Sequence, residues 1–337
     1  MSRSQLTSTD QQNSGGPVSP FVAGKNKIIN GDFGIWQRGT SFSNPANETY
    51  LADRFNIVFD GTGSTRTISQ QAQTPNAISG YDYPYFFRFA QTVAGSGGTY
   101  VGMNQRIEGV QTFAANTITL SFWAKADATR TITPNLQQNF GSGGSTTVST
   151  GNTAITITTS WARYTQTFNL PSISGKTIGT SSFLQLFLGL AANTVQTVDL
   201  FGVQLEAGSV ATPFTTATGT LSGELAACQR YYQRWSNQAY GVYGIGYSAS
   251  ANSTIVSISL PVQMRIAPTS LETSAMNTFY WESSAAGNTP TSVTLGGSTT
   301  QYVGQFSVNK ASSFSAGSAT SVFAYNVSGF LAFSAEL

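Results

Sequence analysis

Apolar and polar residues alternate with a period of two along most of the chain. In residues 118–125, Ile118, Leu120, Phe122 and Ala124 fall on one face, the pattern of a half-buried strand. Residues 153–159, 161–168, 183–190 and 198–205 read the same way, and so do 254–260, 302–308, 321–327 and 330–337. Turn-forming clusters separate them, at Asp60 and Gly61, at Gly95 to Gly98 and at Gly141 to Ser145. Strands without intervening helical patterns predict stacked antiparallel sheets rather than a parallel α/β sheet. The expected fold is all-β: a jelly-roll β-sandwich over 26–215, one short helix, then a smaller C-terminal β-sandwich domain over 237–337.

The helix is expected within 216–236, after an Ala/Thr/Gly-rich linker at 207–220. Ser222 is the candidate N-cap, Glu224 lies in the first turn, and Arg230 and Arg234 lie near the end, where cations complement the helix dipole. Leu221, Leu225, Cys228, Tyr232 and Trp235 are spaced 4-3-4-3, as in a heptad seam. Two heptads do not hold a free coiled coil. Such a seam packs either on its own sandwich or on copies of itself around an axis, most simply three. Residues 1–25 form a Ser/Gln/Gly/Pro-rich arm in which Pro17, Pro20 and the Gly15-Gly16 pair oppose a helix. It reads either as a tail or as a docking peptide anchored by Phe21 and Val22.

Composition narrows the function. Only 9% of the 337 residues are charged, against about 25% in an ordinary globular chain. With 12% aromatics this is not disorder. It is a polar, uncharged surface suited to burial in assemblies. After Gly241 the charges are Arg265, Glu272, Glu282, Lys310 and Glu336 alone, few for a domain exposed on all sides. The net charge of +2 comes from scattered Lys and Arg, which argues against nucleic acid as a partner. No segment has the length of a membrane helix, and the polar start lacks the apolar core of a secretory signal. Cys228 is the one cysteine, so no intrachain disulfide forms. The chain has no histidine, which excludes a Ser-His-Asp triad, a Cys-His pair and His-ligated zinc. Carboxylate-pair chemistry needs two acids facing one cleft. The acids best placed beside aromatics, Asp82 and Glu282, fall in different predicted domains, so no catalysis is expected.

Several phrases, in order, carry a family resemblance. Residues 26–39 contain Asn30-Gly-Asp-Phe33 and then Trp36-Gln-Arg-Gly39. Tyr50 to Phe55, Trp161 to Phe168 with Leu170 and Pro171, Asp199 to Glu206, Ala211 to Phe214 and Glu224 to Tyr232 follow. The series resembles bacteriophage virion fibres and adhesins (tail fibres and head fibres) with a carbohydrate-binding-module-like jelly roll, over about 26–235. Beyond it, Pro261 to Pro268 resembles the family's variable tips loosely. The resemblance implies that residues 26–39 and 199–206 are the opening and closing strands of one sandwich. It implies a homotrimeric virion component, assembled in the host cytoplasm, whose residues 1–25 dock on other virion proteins. A distal domain would meet host cell-surface polysaccharide. A capsid-bound head fibre or decoration protein, and a glycan-binding accessory module of a lytic enzyme, stand as alternatives.

Two kinds of site follow. Related jelly rolls hold a structural calcium between first and last strands, and Asn30, Asp32, Asp199 and Glu206 could supply oxygens. The competing reading pairs Asp32 and Asp53 with Arg38 and Arg54 and leaves Glu206 exposed. No other cofactor is expected. Glycan contact needs aromatic faces with amide or carboxylate neighbours. Tyr81, Asp82, Tyr83 and Tyr85 form one such run and Tyr280, Trp281 and Glu282 a second, distal one. The competing reading makes the first run a lid on the sandwich.

Overall fold

The computed structural model describes residues 23–236, 239–282, 289–310 and 315–337. Phe21 and Val22 therefore lie outside the described residues. The all-β expectation holds, and every strand pairing is antiparallel.

The first unit is built in chain order from β1 (Ser41–Ser43), β2 (Asn56–Phe59), β3 (Thr65–Ala72), β4 (Tyr85–Val93), β5 (Val101–Glu108), β6 (Thr117–Ala126), β7 (Arg130–Asn139), β8 (Val148–Gly151), β9 (Ile155–Ile157), β10 (Ala162–Asn169), β11 (Phe183–Leu190) and β12 (Gln196–Ala207). One sheet runs β1-β3-β4-β12-β6-β10 and the other β2-β5-β11-β7-β8, with β9 also on β7. Their facing sides meet in one core, where Phe33, Phe55, Phe87, Phe122, Leu186 and Val198 are wholly or almost wholly buried. Burying each such side chain contributes about 1.5–3 kcal/mol.

The segment expected to open the sandwich is not a strand. Asn30 and Phe33 take left-handed backbone angles (φ 58° and 55°), and the chain turns there. It still lies against the closing strand. Lys27 N–H donates to Leu205 O at 3.0 Å and Val203 N–H to Gly31 O at 2.8 Å. Asn26 donates from its side chain to Val203 O and accepts from Leu205 N–H. A Cβ on Gly31 would stand 2.1 Å from Val203 O, so only glycine allows this approach.

The helix is shorter than its sequence pattern. α1 covers Leu221–Gln229, and its cap is Thr220, which accepts from Gly223 N–H at 3.1 Å. Ser222 is inside the helix. The chain then enters β13 (Tyr232–Ser236), so Tyr232 and Trp235 are strand residues and the five-position seam does not exist. Leu221 and Leu225 are exposed while Cys228 and Tyr232 are buried. The run from Tyr231 to Trp235 is aromatic-rich and suits a pleated surface. Pairing with the chain's last strand outweighs two more helical turns. The stretch 207–220 is no free linker either: Phe214 is buried in an aromatic cluster on the outer face of the first sheet.

The second unit continues with β14 (Val242–Ser250), β15 (Ser253–Ser259), β16 (Ser270–Thr273), β17 (Phe279–Glu282), β18 (Ser292–Leu295), β19 (Val303–Asn309), β20 (Ala319–Ala324) and β21 (Phe330–Ser334). A small sheet β13-β21-β16 faces a larger one, β17-β20-β14-β15-β19-β18. Val256, Phe279, Phe306, Val322 and Phe333 fill the space between.

The two units lock through the residues after β21. Glu336 bonds to Arg54, which is 1% exposed, and pairs with Arg38 at 3.3 Å. Each guanidinium also lies over a tyrosine ring just after α1: Arg54 is 3.3 Å from the centroid of Tyr231 and Arg38 3.5 Å from that of Tyr232. Arg54 Nη2 donates to Arg106 O at 2.7 Å, and Arg265 donates to Ala335 O and Glu336 O. Arg106 and Tyr50 both donate to Leu337 O. Arg54 has a left-handed backbone (φ 71°) in a tight turn. A glycine would fit that angle more easily but carries no guanidinium.

Removing one partner of a buried ion pair strands the other charge. Glu336→Ala is expected to lower unfolding free energy by about 3–5 kcal/mol in urea titration. Replacing both partners, as in Arg54→Met with Glu336→Leu, is expected to recover most of that loss. A single substitution within 0.5 kcal/mol of the parent would contradict the role given to this pair.

Candidate functional site

β11 reads Phe-Leu-Gln-Leu-Phe-Leu-Gly-Leu from residue 183 to 190. Its leucines enter the core, so the pleat turns Phe183, Gln185, Phe187 and Gly189 to the outer face of the second sheet. The registers align these with neighbours on both sides. Asn104, Phe187, Asn135 and Gly151 form one row across the sheet; Arg106, Gln185, Gln137 and Ser149 form the next. The row beyond Phe187 is nearly bare, with Gly102 and Gly189 side by side. A Cβ on Gly102 would stand 2.7 Å from Phe187 Cε2, and one on Gly189 2.8 Å from Cε1. The two glycines therefore let the ring lie low on the sheet. Tyr100 meets it edge-on, with centroids 6.4 Å apart.

The result is a groove of about 410 Å³, lined by Tyr100, Phe187 and the amides of Asn104, Asn135, Gln137, Asn152 and Gln185, with Arg106 and Glu48 at one end. Asn104 is 2% exposed, and its Oδ1 accepts no hydrogen bond from a described residue. A buried acceptor without a donor is costly, and the amides within reach of the groove space are the part-exposed Gln137 and Gln185 and the exposed Asn152. Arg106 Nε lies 3.4 Å from Gln185 Oε1, and Nη2 pairs with Glu48 at 3.6 Å. Glu48 is the one acid among the lining residues, so the groove holds no carboxylate pair for glycoside hydrolysis. Aromatic rings with fixed amides suit a polyol: rings meet C–H faces, and amides donate to and accept from hydroxyls.

The residues singled out from sequence lie elsewhere. Tyr81 packs on Trp123 with centroids 4.6 Å apart and accepts from Phe214 N–H at 2.9 Å. Tyr83 packs on Phe201 and Phe214, while Asp82 and Tyr85 are exposed. This run caps the aromatic cluster on the first sheet, as the lid reading has it, and lines a recess of about 430 Å³ there. Tyr280, Trp281 and Glu282 belong to β17, whose backbone pairs with β20. Their side chains lie outside the described residues.

The four oxygen donors expected around calcium do not meet. Asp199 receives Arg88 at 2.7 and 2.8 Å on the outer face of the first sheet, with Lys125 at 3.6 Å. Glu206 stands seven residues along the same strand, roughly 20 Å away. It is 2% exposed rather than solvated and accepts from Thr212 and Gln204. The Asn30 amide serves Ile35 and Asp53. Among the described residues no group of three or more Cys, Asp or Glu is placed to hold a metal. The alternative ion pairs are also revised: Arg38 and Arg54 take Glu336, and Asp53 accepts from Gln37.

Asp32 lies near the buried Glu224 of α1, which accepts from Asn30 N–H and Thr218 N–H at 2.8 Å. Burial, and then the Glu224 charge, push the Asp32 carboxyl up to about 6 against its backbone hydrogen bonds. Burial pushes Asp53 up to about 6 as well, against its bonds from Gln37.

Residues 90–182 match the family model of a carbohydrate binding domain, a span that holds β5, β7 and β8 but ends just before β11. No curated protein is similar to the sequence. Among solved structures, the enzymatically active domain of tailspike protein 4 of bacteriophage CBA120 is 15% identical at TM-score 0.37, over 57% of this chain and 22% of that one. The chain thus spans about a fifth of that tailspike domain. The N-terminal cellulose-binding domain of Cellulomonas fimi β-1,4-glucanase C is 18% identical at TM-score 0.31, over 46% and 90%. A xylan-binding domain from Paenibacillus barcinonensis is 12% identical at TM-score 0.34, over 56% and 98%. Likeness at this level assigns no ligand to this chain.

A carboxyl raised on folding keeps its proton in the folded state where the unfolded chain has lost it. The stability it contributes is present below pH 4 and is lost as pH rises to 6. Asp32→Asn is expected to gain on the parent across that window, by about 2–3 kcal/mol at most, in denaturation measured at pH 4, 5, 6 and 7. Parallel curves for the two proteins would contradict the buried Asp32–Glu224 arrangement.

Proposed function

We propose that the chain binds a glycan in the groove on the second sheet, as the non-catalytic attachment subunit of a bacteriophage fibre. The observation that carries the binding reading is the Phe187 ring, set low over Gly102 and Gly189 and ringed by five amides. The match to a carbohydrate binding domain supports it, because β5 and β7, which carry three of those amides, lie in the matched span. The ring supplies a surface for a sugar's C–H face, and the side chains of Gln137, Asn152 and Gln185 supply donors and acceptors for its hydroxyls. The affinity of one groove would be low, and copies joined in a particle raise it through effective concentration.

The fibre setting is supported by the ordered phrases between residues 26 and 235. In this reading residues 1–25 dock on other virion proteins. Copies join as a homotrimer through surfaces that include Leu221 and Leu225, exposed on α1. The nearly uncharged C-terminal sandwich is the outer, host-facing part. Attachment to the capsid instead of the tail would make the chain a head fibre or decoration protein with the same groove.

Binding is tested on a glycan array followed by calorimetry of the best oligosaccharide. Phe187→Ala is expected to weaken it at least tenfold, about 1.4 kcal/mol, and Gln185→Ala severalfold. Tyr81→Ala is expected to leave it unchanged. Loss at Trp281→Ala with none at Phe187→Ala would move the site to the distal domain and contradict the groove. Deletion of residues 1–25 is expected to leave a folded trimer by light scattering that no longer joins particles. A truncated chain that still joins them, or a monomer at micromolar concentration, would contradict the fibre setting.

A further inference from the structure

The groove does not end at Glu48. Glu48 also lines a second recess of about 470 Å³, between the jelly roll and the C-terminal sandwich. Phe42, Tyr50 and Arg38 form its wall on one side; Tyr232, Arg234, Glu272 and Phe330 form the other. What separates the two spaces is thin. It is the Glu48–Arg106 pair, with a Glu48 side chain 64% exposed, and the Leu337 carbonyl held by Arg106 from the groove side and Tyr50 from the recess side.

The charges of the recess are matched except one. Arg38 pairs with Glu336 at 3.3 Å and Glu272 at 3.7 Å, and Glu272 also accepts from Tyr232 Oη at 2.9 Å. Glu48 has Arg106. Arg234 has no carboxylate partner among the described residues. Its Nε donates to Ser236 Oγ at 2.9 Å, and its guanidinium carbon lies over Phe330, 3.9 Å from the ring centroid. Stacking and the Ser236 bond hold the fork in place and leave the Nη donors for an anion. An ordered guanidinium of this kind suits a planar carboxylate.

We propose that this recess is an acidic subsite: it takes the carboxylate of a uronic acid carried by the glycan whose neutral residues lie on Phe187, a proposal that presupposes the groove as the glycan site. Arg234 reads the carboxylate, and Tyr50 and Phe42 give the sugar ring an apolar wall. The C-terminal sandwich thereby sets specificity for a ligand that the jelly roll holds. The fixed Arg38–Glu336 pair keeps the recess open at one width.

The test compares matched pairs of neutral oligosaccharides and their uronate-bearing counterparts, titrated into the full chain at low salt and at 0.5 M salt. The acidic member is expected to bind about tenfold more tightly at low salt, with the difference shrinking as salt rises. Arg234→Gln is expected to equalise the two, and Arg234→Lys to keep part of the preference. Neutral binding stays unchanged in both variants, which also shows that they fold. An acidic preference that survives Arg234→Gln, or no preference in the parent, would overturn the subsite and leave the groove standing. Acidic binding that survives Phe187→Ala would point to an anion or acidic peptide held without the groove, and would overturn the joint site. Loss of neither probe at Phe187→Ala would remove the groove and the subsite together.

Discussion

One buried carboxylate organises the junction on which the binding surface depends. Glu336 sits between two arginines of the jelly roll, each stacked on a tyrosine that follows α1, Tyr231 in the turn and Tyr232 at the start of β13. A buried ion pair adds little net stability, because desolvation offsets most of the attraction. What it adds here is placement. Arg38 and Arg54 cannot be left unpaired in a dry junction, so the last residues of the chain dock in one position. That position brings Leu337 O to Arg106, and Arg106 to Gln185 and Glu48 at the groove's end. The chemistry of the surface and the joining of the two units are therefore one problem.

The groove itself follows from the pleat. Inward leucines of β11 require outward residues at alternate positions, and those residues are two phenylalanines, a glutamine and a glycine instead of the lysines and glutamates of a solvated face. Small residues beside a large ring make depth on a surface that would otherwise be flat. The first sheet solves its outer face differently. Trp123 and Phe201 are covered there by the Tyr81 loop and by Phe214, so β6 is buried on both sides. Covering leaves one sheet a core wall and the other a binding wall.

Much of this was legible from residue pattern. The strands at 118–125, 161–168, 183–190 and 198–205 lie where alternation put them, within a residue or two. The contact between residues near Phe33 and Val203 was legible as well, though the partner is a turn and not a strand, because glycine and left-handed asparagine favour close approach over pleating. Tyr232 and Trp235 misled, since a 4-3-4-3 spacing counts positions and takes no account of a strand 100 residues later that offers backbone partners. The tyrosine run at residues 81–85 drew attention, but Tyr81 and Tyr83 serve packing there. The groove was hidden because its residues come from β5, β7 and β11, and only the registers place them in rows. The available signal was the polarity type at the outward positions of 183–190. The role of Glu336 had no local signal at all.

The most direct measurement is a crystal structure of the chain with an oligosaccharide found by array. The account predicts a pyranose ring against Phe187 with hydroxyls bonded to the amide of Gln137 or Gln185, and the Glu336 carboxylate still between Arg38 and Arg54. Sugar density over the Tyr81 loop, or at a site that touches none of the outward residues of β11, would contradict it.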